Sequence, residues 1–217
     1  MTKQLELVNE LAARGRTDFT FQEARDVLGA SPTATSNILR ALTRQGLVDR
    51  VTHGHYSIRP IGALGTSAVS ANLADAVATA FAGRQHRIAY RSALSELGLL
   101  SHPVRTVFVA CTKQVWFTRV SDRPLRVVLE QPRTIHLGAE KLGRSWQSTA
   151  ERALFECAMR VDLAGGVERL AEALASGAGS VDSDRILGLA GHFGARGPAA
   201  IRRLASLSTV LGLELEL

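Results

Sequence analysis

Thr20 to Ile58 reads TFQEARDVLGASPTATSNILRALTRQGLVDRVTHGHYSI, and its punctuation decides the fold of the N-terminal part of the chain. Thr20-Phe21-Gln22-Glu23 is a capping-box pattern, in which the threonine hydroxyl and a glutamate three residues on satisfy free backbone donors reciprocally. It opens a short helix through Leu28, and Gly29 permits the tight turn that follows. Ser31-Pro32 opens a second helix, with serine as N-cap and proline at the first helical position, where a missing N–H costs nothing. That helix runs through Arg44 and stops near Gly46. Leu47 to Val51 and His55 to Ile58 follow as two short strands around Thr52-His53-Gly54. Helix, turn, helix, hairpin is the order of a winged helix-turn-helix.

The second helix carries the functional signal. At about 100° per residue, Thr35, Ile38, Leu39 and Leu42 form a core-facing stripe. Thr33, Asn37, Arg40 and Arg44 fall in a narrow arc on the opposite side, with hydroxyl, amide and guanidinium groups and no acid. Asparagine pairs bidentately with adenine and arginine with guanine in the major groove, and either also holds a phosphate. These four residues, with Ser36, are the candidate contacts from the helix. Arg50, His53 and His55 on the wing are the candidate holders of the DNA backbone. The competing reading is a solvated face on an ordinary three-helix domain. The acid-free arc outweighs it because it sits inside a complete helix-turn-helix with a wing.

Working outward, a first helix is expected from Lys3 to Arg14, with Leu5, Val8, Leu11 and Ala12 on one face to complete a three-helix core. In the wing, Tyr56 and Ile58 alternate with Ser57 and Arg59, the signature of a half-buried strand. Pro60 ends that strand, and the small, flexible run Gly62 to Ser67 marks the domain boundary. The expected division is 1–61 for the winged domain, 62–83 for a linker or connecting helix including Ser70 to Phe81, and 84–217 for a larger domain. Within the larger domain, strands are expected at His86–Tyr90, Val104–Ala110, Val115–Val120, Leu125–Leu129 and, briefly, Ile135–Leu137. Ser121 to Pro124 turns between two of them. Helices are expected at Arg91–Leu99, from a Ser148-Thr149-Ala150-Glu151 capping box to Arg160, and at Val167–Ala175, Ser183–Leu189 and Ala199–Leu211. The alternating end Leu213-Glu214-Leu215-Glu216-Leu217 reads as a short edge strand. The whole is an α+β chain: an N-terminal winged helix-turn-helix plus a larger C-terminal α+β domain, a sheet followed by helices.

Bulk properties narrow the class. A hydrophobic fraction of 46% and a charged fraction of 21% over 217 residues suit a globular protein of one large or two small domains. The net charge of +6 favours a polyanionic partner. No apolar run approaches the roughly 20 residues needed to cross a bilayer. Met1 to Glu6 lacks a signal-peptide layout, so the expected location is the cytoplasm and no membrane partner is expected. Cys111 and Cys157 fit a reducing compartment as small, half-buried hydrophobes. Between Arg84 and Arg133 nine basic side chains stand against three acidic ones. The favoured reading is a solvated face with local ion pairs; the other is an auxiliary contact to DNA backbone or an acidic partner.

Catalytic patterns are missing. His53 and His55 lack the acidic or thiol companions a metal site needs in sequence. Gly179-Ser180 followed by Asp182 and Asp184 superficially resembles a nucleotidyltransferase motif. That chemistry places its aspartates on a strand after an intervening helix, so helix capping by Asp182 or Asp184 explains them better. No phosphate-binding loop, dinucleotide fingerprint or nucleophile elbow is present. Neither enzymatic activity nor a cofactor is expected.

The order of several patterns across the chain resembles an AbiEi-type antitoxin, the regulator half of a type IV toxin–antitoxin pair. They are the winged start with Tyr56-Ser57-Ile58-Arg59 closing the wing, Tyr90-Arg91-Ser92-Ala93-Leu94 before Gly98-Leu99, and the strand Thr106 to Ala110. Ser148 to Leu154, the Gly165-Gly166-Val167-Glu168 step, and Arg202-Arg203-Leu204-Ala205 before Leu211-Gly212 complete the set. The resemblance implies a protein that represses its own operon by binding inverted repeats in double-stranded promoter DNA. It further implies a C-terminal domain that counters a nucleotidyltransferase toxin without forming a stable complex with it. The alternative is a ligand-responsive winged-helix regulator whose α+β domain binds a small effector. A nucleotide-dependent activity in that domain is a third reading.

Overall fold

A computed structural model describes residues 3–59, 73–121 and 123–217. The chain divides into two compact units, Met1–Ala82 with Arg119–Asp122, and Gly83–Thr118 with Arg123–Leu217. The boundary run 62–67, the start of the helix expected from Ser70, and Asp122 of the expected turn lie outside the described residues.

In the first unit the order is α1 (Lys3–Ala13), β1 (Asp18–Thr20), α2 (Phe21–Leu28), α3 (Pro32–Arg44), β2 (Val48–Thr52), β3 (His55–Ile58) and α4 (Leu73–Ala80). The local signals act as read. Thr20 Oγ1 accepts from the Glu23 N–H at 3.2 Å while the Thr20 N–H donates to Glu23 Oε2 at 2.7 Å, a complete capping box. Gly29 ends α2 in the left-handed region, at φ +54°, and Ser31 Oγ caps α3 by accepting from the Ala34 N–H at 3.3 Å. The core gathers Leu7, Leu11, Phe19, Ala24, Leu28, Leu39, Leu42, Val48 and Tyr56. Two details differ from expectation. On α1 the buried residues are Leu7 and Leu11, whereas Leu5 and Ala12 are exposed. Leu7 and Leu11 lie at i and i+4, a stripe the sequence offers equally well, and packing against α2 and α3 selects it. Strand β1 was not legible: at three residues it is too short to show alternation. It pairs antiparallel with β3, Phe19 opposite Tyr56, and the two rings stack at 5.6 Å.

The larger unit contains β4 (His86–Ile88), α5 (Tyr90–Glu96) and β5 (Val107–Cys111); the two-residue β6 (Arg119–Val120) groups with the first unit. It continues with β7 (Arg123–Leu129), β8 (Ala139–Leu142) and β9 (Ser145–Ser148), then α6 (Ala150–Met159) and α7 (Val161–Ala164). The last helices are α8 (Val167–Gly177), α9 (Ser183–Ala190) and α10 (Arg196–Leu211). Its strands run in the order β7-β5-β4-β9-β8. The β7–β5 and β4–β9 pairs are parallel and the β5–β4 and β9–β8 pairs antiparallel. Helices α5 to α10 enclose an apolar core that includes Leu94, Phe108, Ile135, Leu154, Phe155 and Leu204.

Several expectations for this unit are corrected. Val115 to Thr118 is irregular, so the strand expected there shrinks to Arg119–Val120. Ile135 to Leu137 lies in a run of turns, and the β8–β9 hairpin that follows was not read, because its charged and polar residues give no apolar alternation. The helix cap is Thr149, whose hydroxyl accepts from the Arg152 N–H at 3.3 Å. The expected Ser148–Glu151 box does not form, since Ser148 Oγ donates to Glu156 Oε1 at 2.9 Å instead. Leu213, Leu215 and Leu217 pack on the core without forming a strand. Cys111 and Cys157 are fully buried rather than half-buried, and both are free thiols.

Candidate nucleic-acid interface

On α3 the inward side is made by Thr35, Leu39 and Leu42, all buried, with Ile38 half-buried beside them. That seating turns Thr33, Asn37, Arg40 and Arg44 outward, and all four are exposed; Ser36 is half-buried. Arg40 Nη1 donates to Asn37 Oδ1 at 3.5 Å, so amide and guanidinium stand together on one face. No acidic residue occurs in α3. The face therefore offers hydrogen-bond donors and positive charge with no carboxylate on the same helix to compete for them.

The wing is built by a two-residue turn. Thr52 stands opposite His55, and Gly54 takes φ +76°, a conformation that L side chains rarely adopt. The Gly54 carbonyl accepts from the Phe21 N–H at 2.8 Å, which ties the wing tip to the start of α2. At the tip, Arg50 Nη2 donates to His53 Nδ1 at 2.8 Å; both side chains are exposed and His55 is half-buried. The base of the hairpin is closed by Arg59, which donates from Nε and Nη2 to the Asp49 carboxylate at 2.8–3.0 Å. The alternation of the wing made Arg59 an outward residue, but it is buried at 9% exposure. An acid and an arginine flanking a hairpin ten residues apart were the available signal. Asp49, an acid on the wing strand β2, is thereby engaged at its base.

The structure thus assembles two groups, Thr33, Asn37, Arg40 and Arg44 on the helix and Arg50 with His53 on the wing. No group of three or more His, Cys, Asp or Glu side chains among the described residues could hold a metal ion. No described helix is long and apolar enough to cross a membrane. The basic run from Arg84 to Arg133 is dispersed. Arg87 is fully buried in a charge network, Arg123 donates to the Val104 and Arg105 carbonyls, and Arg126 pairs with Asp162 at 3.6 Å.

Fold and exposed face define the first unit as a winged helix-turn-helix of the kind used by transcriptional regulators. Residues 6–59 match the family described as "Transcriptional regulator, AbiEi antitoxin", so the AbiEi-type resemblance is met in that segment. Among solved structures, the chain is similar to the RV2827C protein from Mycobacterium tuberculosis, with a TM-score of 0.68 and 18% identity. That similarity covers 98% of this chain and 78% of the other, and it shows a shared fold. A comparison with curated proteins finds no match.

Proposed function

We propose that this protein is a promoter-binding autorepressor that also serves as the antitoxin of a type IV toxin–antitoxin pair. The acid-free outward face of α3, seated in a complete winged unit, is the observation that carries the DNA-binding part. In this reading Thr33, Ser36, Asn37, Arg40 and Arg44 enter the major groove, and Arg50, His53 and His55 hold the backbone from the wing. Such a helix reads base edges through asparagine and arginine, while the surrounding cations fix register on the phosphates. The target is double-stranded DNA with inverted repeats upstream of the protein's own gene. The antitoxin part rests on the AbiEi match to residues 6–59 and on the order of motifs across the chain. Its counterpart is a nucleotidyltransferase toxin, opposed without a stable complex.

The DNA-binding part is tested by measuring affinity for the upstream promoter and for random duplex at one salt concentration. Arg40→Ala and Arg44→Ala each cost about 1–3 kcal/mol on the promoter if the side chains read bases. Equal affinity of the wild type for promoter and random DNA defeats specific repression. The antitoxin part is tested by co-expression with a candidate nucleotidyltransferase toxin. Growth is rescued by the full chain and lost when Arg84 to Leu217 is deleted; rescue that persists after the deletion rules out a role for the larger unit.

A further inference from the structure

The larger unit contains a cavity of about 470 Å³ whose wall includes Tyr90, Glu130, Arg133, Arg152, Arg160 and Arg196. Four arginines therefore face one carboxylate. Two of them are engaged: Arg152 donates to Glu130 at 2.7 Å, and Arg160 is held by Asp162 at 2.8–2.9 Å. Arg133 and Arg196 are exposed and form no ion pair among the described residues. The wall thus holds two arginines without an ion-pair partner among the described residues.

Two further features point to an anion. Arg152 is 1% exposed, with Nε on Glu156 and its guanidinium 4.3 Å from the centre of the Phe193 ring. Its Nη1 is buried and has no hydrogen-bond partner. A buried guanidinium donor left open is rare in folded proteins, because the lost hydration is not replaced. Next to it, Gly194 and Arg196 on the wall mark the start of α10, a 16-residue helix whose N-terminus has no side-chain cap. The positive end of its dipole lies at that part of the wall; the Gly197 N–H is taken by the Gly194 carbonyl and Pro198 has none, so the helix contributes field rather than a set of donors.

We propose that this cavity binds a small molecule carrying a phosphate monoester. Two guanidiniums without ion-pair partners, an unfilled arginine donor and the positive end of a helix dipole match a group of charge near −2 better than a single carboxylate. The cavity falls in the size range of small-molecule sites and is larger than phosphate alone requires. Val128, Met159 and Phe193 supply apolar wall for the body of the ester. This assignment is independent of the DNA-binding reading, since every residue involved lies in the larger unit.

Isothermal titration of the full chain with inorganic phosphate, adenosine 5′-monophosphate, glucose 6-phosphate and adenosine tests it. At least one ester binds more tightly than inorganic phosphate, and adenosine does not bind. Arg133→Ala and Arg196→Ala, both at exposed positions, each weaken the ester about tenfold, the loss expected for one charge-assisted hydrogen bond. The Arg40→Ala/Arg44→Ala double variant binds the ester like the wild type, which separates this site from the DNA-binding face. Absence of binding by either ester at millimolar concentration overturns the proposal. So does unchanged affinity in both rim variants, or loss of binding in the α3 double variant.

Discussion

Glu156 is fully buried, yet four donors reach its carboxylate: Arg87 Nη2 at 2.6 Å, Arg152 Nε at 3.2 Å, Ser148 Oγ at 2.9 Å and the Tyr90 N–H at 2.5 Å. Tyr90 sits at φ +52° at the start of α5, where the N-cap Ala89 has no side chain to offer, so the carboxylate takes the role of a cap. Arg87 adds Glu130 at 3.0 Å, which leaves the cluster with two buried arginines and two acids. Removing one member strands the opposite charge in low dielectric. Glu156→Ala is therefore expected to cost about 3–5 kcal/mol. Both tryptophans, Trp116 and Trp146, lie in the larger unit, so urea unfolding followed by tryptophan fluorescence reads this loss. His86 gives a pH dependence. Burial pushes its imidazole below the ordinary value of 6.5, although the Arg84 carbonyl at 2.8 Å pulls the other way. A histidine with a depressed folded-state pKa binds its proton more readily when unfolded. Its contribution is thus fully present above about pH 6.5 and is lost as pH falls toward the folded value. Melting of the larger unit should drop between pH 7 and 5, with a flatter slope in His86→Gln. A slope identical to the wild type's rejects the assignment.

At the scale of elements, the winged unit was read from signals within a few residues of one another. The capping box at Thr20, the serine cap of α3, and the glycine at the wing tip each act over three or four positions. Thr20→Ala should therefore cost about 0.5–2 kcal/mol in the stability of this unit, measured by circular dichroism. The outward face of α3 was legible for the same reason, since helical periodicity places it opposite Leu39 and Leu42. The wing's electrostatics are testable through salt. If Arg50 holds a phosphate, Arg50→Ala weakens binding to all duplexes alike. It also reduces the slope of log affinity against log salt by about 1. A sequence-dependent loss with an unchanged slope would assign Arg50 to base reading instead. Elements that lack a local signature were missed, namely β1, the four-residue α7 and the β8–β9 hairpin. Three residues cannot display alternation, and the mostly exposed, charged face of β8 hides its pairing with β9.

On the scale of the whole molecule, each unit carries its own apolar cluster, one around Leu39 and Phe19 and the other around Leu154 and Phe155. Leu39→Ala removes a side chain that is 1% exposed and should destabilise the first unit by about 2–5 kcal/mol. Loss of DNA binding with an unshifted tryptophan transition is the expected outcome; a shifted transition would show that the two cores unfold as one. The sequence alone determined most of the helices, the caps and turns of the winged unit and the exposed face of α3, because hydrogen bonds and periodicity there span a few residues. The tertiary structure decided which stripe of α1 is buried, and that Arg87, a member of a basic run, lies in the core. It also decided that Glu130 and Glu156 meet Arg87 from 43 and 69 residues away. Pairing over such distances is set by how strands and helices stack, and a burial-driven choice of that kind leaves no local pattern in the chain.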